Sequence, residues 1–245
     1  MDGGDLAIIV LAILAGSVVK SVSGMGLPII AIPLITLVLP LEEAVVVTAL
    51  PGLAVNAVIG WRERGHAGET RDLPVLAVTG VVGAVIGTLL LVHLPEEPVL
   101  FALAVIVLVY VALALTRPTL QIAAATATRW SPGVGLGAGV MQGATGISGP
   151  VTATWIHAYR LPRDAHVFAV TVLFLMAGIG QTVPLVASGA FDGVWFAALI
   201  GVPLALVMIP WGSRVRGRLS GRGFDYVVLA ALVLSAVTIL VRLAR

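Results

Sequence analysis

The sequence predicts an all-α polytopic membrane protein made of two inverted repeats, each a broken or re-entrant helical hairpin followed by three transmembrane helices. Three observations predict it: an apolar composition, a Gly/Pro break that occurs twice, and an uneven spread of arginine among the loops. Of the 245 residues, 59% are hydrophobic and 11% charged, and the mean hydropathy is +1.11. So little polar surface cannot cover a soluble globule of this size, which makes the bilayer the solvent. The break reads Ser21-Val22-Ser23-Gly24-Met25-Gly26-Leu27-Pro28 in the first half and Gly143-Ala144-Thr145-Gly146-Ile147-Ser148-Gly149-Pro150 in the second. A gapless shift of 122 residues pairs Val18 with Val140, Gly24 with Gly146, Pro28 with Pro150, Ala31 with Ala153, Leu39 with Leu161, Pro40 with Pro162 and Val45 with Val167. That is seven identities against roughly three expected by chance in a window of about 30 residues. Matched glycines and prolines mark backbone geometry rather than mere apolarity.

In order along the chain, the first repeat (1–118) reads as a hairpin at 6–40 and spans at 43–61, 73–94 and 98–116. The second (119–245) reads as a hairpin at 132–161 and spans at 165–188, 193–213 and 223–243. Each span is long enough for a hydrocarbon core of ~30 Å, whereas the segments 6–40 and 132–161 would reach about 50 and about 45 Å as straight helices. Those two carry the breaks, so they are read as hairpins of two half-helices or as steeply tilted broken spans. Asp2 and Asp5 precede the first apolar run without a basic residue, which argues against a cleaved signal peptide.

Loop charge sets the orientation. Arg62, Arg64 and Arg71, then Arg117 and Arg129, then Arg160 and Arg163, then Arg214, Arg216, Arg218 and Arg222 mark loops that the positive-inside rule assigns to the cytoplasm. Loops with Glu42 and Glu43, with His93, Glu96 and Glu97, and with Asp192 then face outward. The second hairpin therefore enters and leaves from the cytoplasmic face and the first from the outer face, which inverts the repeats. Arg242 and Arg245 fall outside in this scheme and resist it; if all eight segments cross instead, the repeats are parallel and an arginine loop lies on the wrong side.

The net charge of +2 and pI near 9.5 do not indicate nucleic acid, since the arginines sit in short loops and form no stripe with interleaved aromatics. With no cysteine, disulfides, thiolate metal sites and cysteine catalysis are excluded. His157 and His166 have no carboxylate or further histidine at metal-ligand spacing, so a packed or interfacial histidine is the better reading, and no metal or cofactor is called for. Trp61, Trp130, Trp195 and Trp211 lie at span ends as an aromatic belt.

A break at membrane depth needs protein or a water-filled cavity around it. A half-helix restarting near Pro28 or Pro150 points free N–H groups and the positive end of its dipole at the middle of the bilayer, and two such ends favour a small anion. The candidate binding residues follow: Lys20 as counter-charge, Ser21, Ser23, Thr145 and Ser148 as hydroxyl donors, Gln142 as an amide, and Gly24, Gly26, Gly146 and Gly149 for close backbone approach. Asn56 and Gln181 lie at similar depths in the crossing after each hairpin and would complete a polar pocket. The competing readings are a snorkelling lysine, close packing of small residues, and interhelical amide hydrogen bonds. No Asp or Glu lies well inside a span, so proton or sodium coupling has no visible carboxylate.

With the duplicated break, the run Gly24-Met25-Gly26-Leu27-Pro28 continuing to Pro33-Leu34, and about four apolar segments per half, the whole chain resembles the sulfite exporter TauE/SafE family of membrane permeases. The resemblance implies export of small sulfur-containing anions such as sulfite, thiosulfate or organosulfonates. It also implies a multi-pass location in a cell membrane, with the bacterial inner membrane expected. The family's signature carries more glycines than the positions here filled by Leu27 and Pro28 or by Ile147 and Ser148. The expected partners are a small anion and membrane lipid, with a homodimer left open and nucleic acid excluded.

Phosphate or carboxylate would satisfy the same donors. An enzyme reading also exists, because Gly146-Ile147-Ser148-Gly149 has the Gly-x-Ser-Gly form of intramembrane serine proteases, with His157 or His166 as base. Against it, the first break has no serine at the equivalent position, and no enzyme is expected. A scaffold subunit is disfavoured by polar groups that would only cost stability.

Overall fold

The computed structural model describes residues 3–23, 26–116 and 124–216, together with helical positions 233, 236, 237 and 240. The expected last span at 223–243 lies outside the described residues save for those four positions. The described chain is helical: α1 (Gly3–Ser23), α2 (Pro28–Ile35), α3 (Leu41–Arg62), a short 3₁₀ turn (Arg64–Glu69), α4 (Leu73–His93), α5 (Glu96–Thr116), α6 (Ala124–Thr145), α7 (Gly149–Ala158), α8 (Arg163–Ala187) and α9 (Trp195–Arg216). Among these residues α3, α4 and α8 are long and apolar enough to cross a membrane. Trp61 and Trp130 are exposed near helix ends, as interfacial aromatics are.

Proline places several helix starts. Pro40 and Pro162, extended at ψ 157° and 150°, precede α3 and α8, whose first turns carry Glu42 with Glu43 and Asp164. Pro28 and Pro150 open α2 and α7 where the missing N–H costs nothing. The starts of α3 and α8, and likewise of α4 and α9, stand 122 residues apart.

Each broken segment has unequal arms, which departs from two half-helices. α1 and α6 run for 21 and 22 residues, about 31 and 33 Å, whereas α2 and α7 run for 8 and 10. α2 doubles back on α1, since a Cβ on Gly16 would come within 2.5 Å of the Leu27 carbonyl oxygen. α6 also starts eight residues before the expected hairpin, so Arg129 is helical rather than in a loop. Pro132 does not end that helix. It removes the N–H that would bond the Thr128 carbonyl, and the Ser131 hydroxyl donates to that oxygen instead at 2.9 Å.

Packing exchanges elements between the halves. α4 lies against α6 and α8, and α9 lies against α1 and α3. The α4–α6 seam brings backbone against backbone: a Cβ on Gly83 would strike the Leu136 carbonyl, one on Gly87 that of Val140, one on Gly139 that of Gly80, and one on Gly143 that of Ala84. A larger apolar core joins α1, α2, α3, α5 and α9, and a smaller one gathers Leu73, Leu76, Ile156, Phe168, Ala169 and Phe174.

Loops meet at two places. The Leu41 amide donates to Glu96 Oε1 at 2.8 Å, joining the starts of α3 and α5. Asp72, Thr128 and Tyr159 meet at the starts of α4 and α6 and the end of α7, so α7 ends beside the beginning of α6.

Candidate functional site

The breaks converge. A Cβ on Gly149 would lie 3.8 Å from the Gly26 amide nitrogen, and one on Gly146 would collide with Ile32 of α2. Gly146 also adopts φ 71°, a left-handed conformation that favours glycine. Both constraints hold the second break against the first.

A cavity forms where they meet, with about 30 Å³ open to the centres of water-sized molecules. Seven expected residues line it: Gly26, Asn56, Gln142, Gly146, Ser148, Gly149 and Gln181. Pro28 and Ile29 of α2, Thr48, Ala49, Gly52 and Leu53 of α3, Ile147 of the second break, and Phe174 and Gly178 of α8 complete the wall. None of these nine stands out for binding in the sequence, where apolar or small residues within apolar runs carry no signal. A spacing clue did exist, for Gly52 and Phe174 stand 122 residues apart.

Hydrogen bonds sort the polar residues by job. Ser148 donates to Gln142 Oε1 at 2.8 Å, and Gln142 Nε2 donates to the Gly146 carbonyl at 3.1 Å and to Gln181 Oε1 at 3.2 Å. Gln181 Nε2 donates to the Gln142 carbonyl at 2.6 Å. Thr145, which does not line the cavity, donates to the Met141 carbonyl at 2.7 Å and accepts from the Ile147 amide at 3.2 Å. These groups brace the second break, because a satisfied buried network fixes a single geometry. The Ser148 side chain does not cap α7. Pro150 has no N–H, so the α7 amide at the cavity wall is that of Gly149, which has no partner inside the helix, and the dipole adds positive potential there.

Asn56 differs. It is 93% buried, since 7% of its surface is exposed, and its Oδ1 has no hydrogen-bond partner. Thr182 Oγ1 is the other such atom among the described residues, and it does not line the cavity. A buried amide without a partner is costly unless something else supplies one, and a half-turn about its last bond would present its NH₂ instead.

Lys20 is buried at 1% exposure and is not part of the cavity wall. Its Nζ stands 4.6 Å from the centroid of the Phe174 ring, which is part of that wall, so one aromatic touches both the lysine and the cavity. Ser21 and Ser23 lie in the last turn of α1 and their side chains, like Gly24 as a whole, lie outside the described residues.

The Gly-x-Ser-Gly match is not arranged for nucleophilic attack. The Ser148 hydroxyl bonds to Gln142, while His157 packs edge-on against His166, 6.1 Å between centroids, at the far end of α7. Among the described residues no cluster of His, Asp or Glu could hold a metal ion.

No curated protein and no solved structure matches the chain significantly. A protein-family model does: residues 8–239 match sulfite exporter TauE/SafE, and by that match over most of its length the chain belongs to the TauE/SafE family of membrane transporters.

Proposed function

We propose that the protein carries a small sulfur-containing anion across a cell membrane, binding it in the cavity between the two breaks. The family match supports the substrate class, and the observation that carries the site is the convergence of Gly26 and Gly149 on a wall that holds the partnerless Asn56 amide. The donors are the Gly149 amide at the start of α7 and, after a half-turn of its side chain, the Asn56 NH₂, with the Lys20 charge beside Phe174. The reciprocal packing of α4 on α6 and α8, and of α9 on α1 and α3, is what an inverted pair of repeats rocking about a midplane site would use. The end where Arg71, Thr128 and Tyr159 meet is taken as cytoplasmic, and the bacterial inner membrane as the location.

Uptake of radiolabelled sulfite into proteoliposomes tests this, with taurine, sulfoacetate, sulfate and phosphate as competitors. Saturable uptake blocked selectively by sulfur oxyanions, and weakened in Asn56→Leu and Lys20→Ala, is the expected result. Equal block by phosphate would reassign the substrate, and uptake indifferent to both substitutions would move the site.

A further inference from the structure

A second cavity, with about 20 Å³ open to water-sized centres, lies between α4, α6, α7 and α8, its wall including Leu76, Gly135, Ala138, Thr152 and Trp155. Ser148 lines both cavities, so the two are separated by little more than that side chain. From Ser148 the second cavity extends two turns along α7 to Trp155.

Just beyond its far wall the chain is tied shut. Asp72 lies one turn before Leu76 on α4, and Tyr159 one turn after Trp155 on α7. The Tyr159 hydroxyl donates to Asp72 Oδ2 at 3.1 Å and accepts from Trp155 Nε1 at 3.0 Å. Thr128 of α6 donates to the Asp72 carboxylate at 3.1 Å, and Arg71 Nη2 donates to Thr128 at 3.2 Å. Three helices that wall the cavity are thus joined through one carboxylate.

The backbone points the same way. Asp72 holds the N-cap position of α4, where aspartate normally bonds the helix's own amides, yet it makes no such bond. It adopts φ 53° and Arg160, next to Tyr159, φ 51°. They are the non-glycine residues with positive φ among those described. A conformation disfavoured by its Cβ, in a residue that gives up its usual cap, is kept where the surroundings use it.

We propose that the second cavity is the leg of the transport path between the central site and the arginine-rich end, that Ser148 is the point of transfer between the two cavities, and that the Asp72–Tyr159–Thr128 cluster is the closure at its mouth. This rests on the transport reading above. In the closed arrangement the cluster holds α7 against α4 and α6, and separating Tyr159 from Asp72 frees the end of α7 to move away and open the leg.

The absence of cysteine makes the test direct, because one introduced thiol is the only one in the protein. Ala138→Cys places it in the wall of the second cavity. Labelling by a membrane-impermeant charged maleimide is followed in sealed proteoliposomes from each face separately. Adding Tyr159→Phe should speed labelling about tenfold from the arginine-rich face alone, as the loss of one hydrogen bond to a charged group implies. Asp72→Asn should do the same, and it provides the reading if Tyr159→Phe is not monodisperse. Unchanged labelling in a folded variant, or faster labelling from the opposite face, overturns the proposal. Labelling needs no substrate, so failed sulfite uptake and a failed closure are separate results.

Discussion

The two sides of the central cavity are built differently. On the α4–α6 side, glycines bring two backbones together and the second break is braced by Gln142, Ser148 and Gln181. On the α1–α9 side, the positions 122 residues from Gly83, Gly87 and Gly139 carry Ala205, Ile209 and Ser17, and the cavity wall there includes the partnerless Asn56. Backbone-to-backbone packing has no rotamers to adjust, whereas a side-chain seam can repack. The difference assigns stiffness to one side and adaptability to the other.

The largest expected effect comes from breaking the stiff seam. Gly139→Val drives two methyls at the Gly80 carbonyl and should abolish folded, monodisperse protein, while Ile209→Val, buried near α1, should cost only about 1 kcal/mol in detergent thermal unfolding. Equal losses would erase the distinction. Next is Gly146→Ala, which meets both the positive φ and Ile32. A cost of about 2–3 kcal/mol and loss of transport are expected, partly relieved by Ile32→Val, which thins the obstructing side chain but leaves the φ penalty.

A sharper contrast separates the bracing amides from Asn56, the amide proposed to bind. Gln181→Leu leaves the Gln142 carbonyl and amide short of partners and should cost about 1–3 kcal/mol, whereas Asn56→Leu removes a polar atom that has none, so unfolding should be nearly unchanged while uptake falls. If Asn56→Leu destabilises as much, Asn56 is structural.

The smallest effect is a null. Burial, chiefly, with the Asp72 charge, pushes the Tyr159 hydroxyl from its usual 10.0 up to about 12. A raised value means that its stabilisation is complete below pH 10 and is lost as pH rises through about 12. Tyr159→Phe should therefore leave the shape of the transport pH profile unchanged below about pH 9, whatever it does to rate. A shift near neutrality would assign the titration elsewhere.

What could be read from the chain beforehand follows from contrast. The breaks were legible because glycine and proline stand out in apolar helices, and Asn56, Gln142 and Gln181 because an amide is conspicuous among Val and Leu. Phe174 and Gly178 were not, since an apolar residue in an apolar run looks the same facing a cavity or lipid. The early start of α6 was hidden by Pro132, whose cost falls only once Ser131 replaces the missing bond. The Asp72–Thr128–Tyr159 cluster was beyond reach for another reason: its members come from three distant stretches, and no local pattern joins them.

The glycine seam has a mechanical consequence. Two helices locked along α4's 21 residues form one beam about 31 Å long, and a beam converts a small rotation into a large displacement at its end. A tilt of about 10° would carry the Asp72 end by about 5 Å, near the one-turn step seen when packed elements shift register. A small rotation set off beside Gly146 would thereby be geared up to the scale of a helix turn at the far end of the beam.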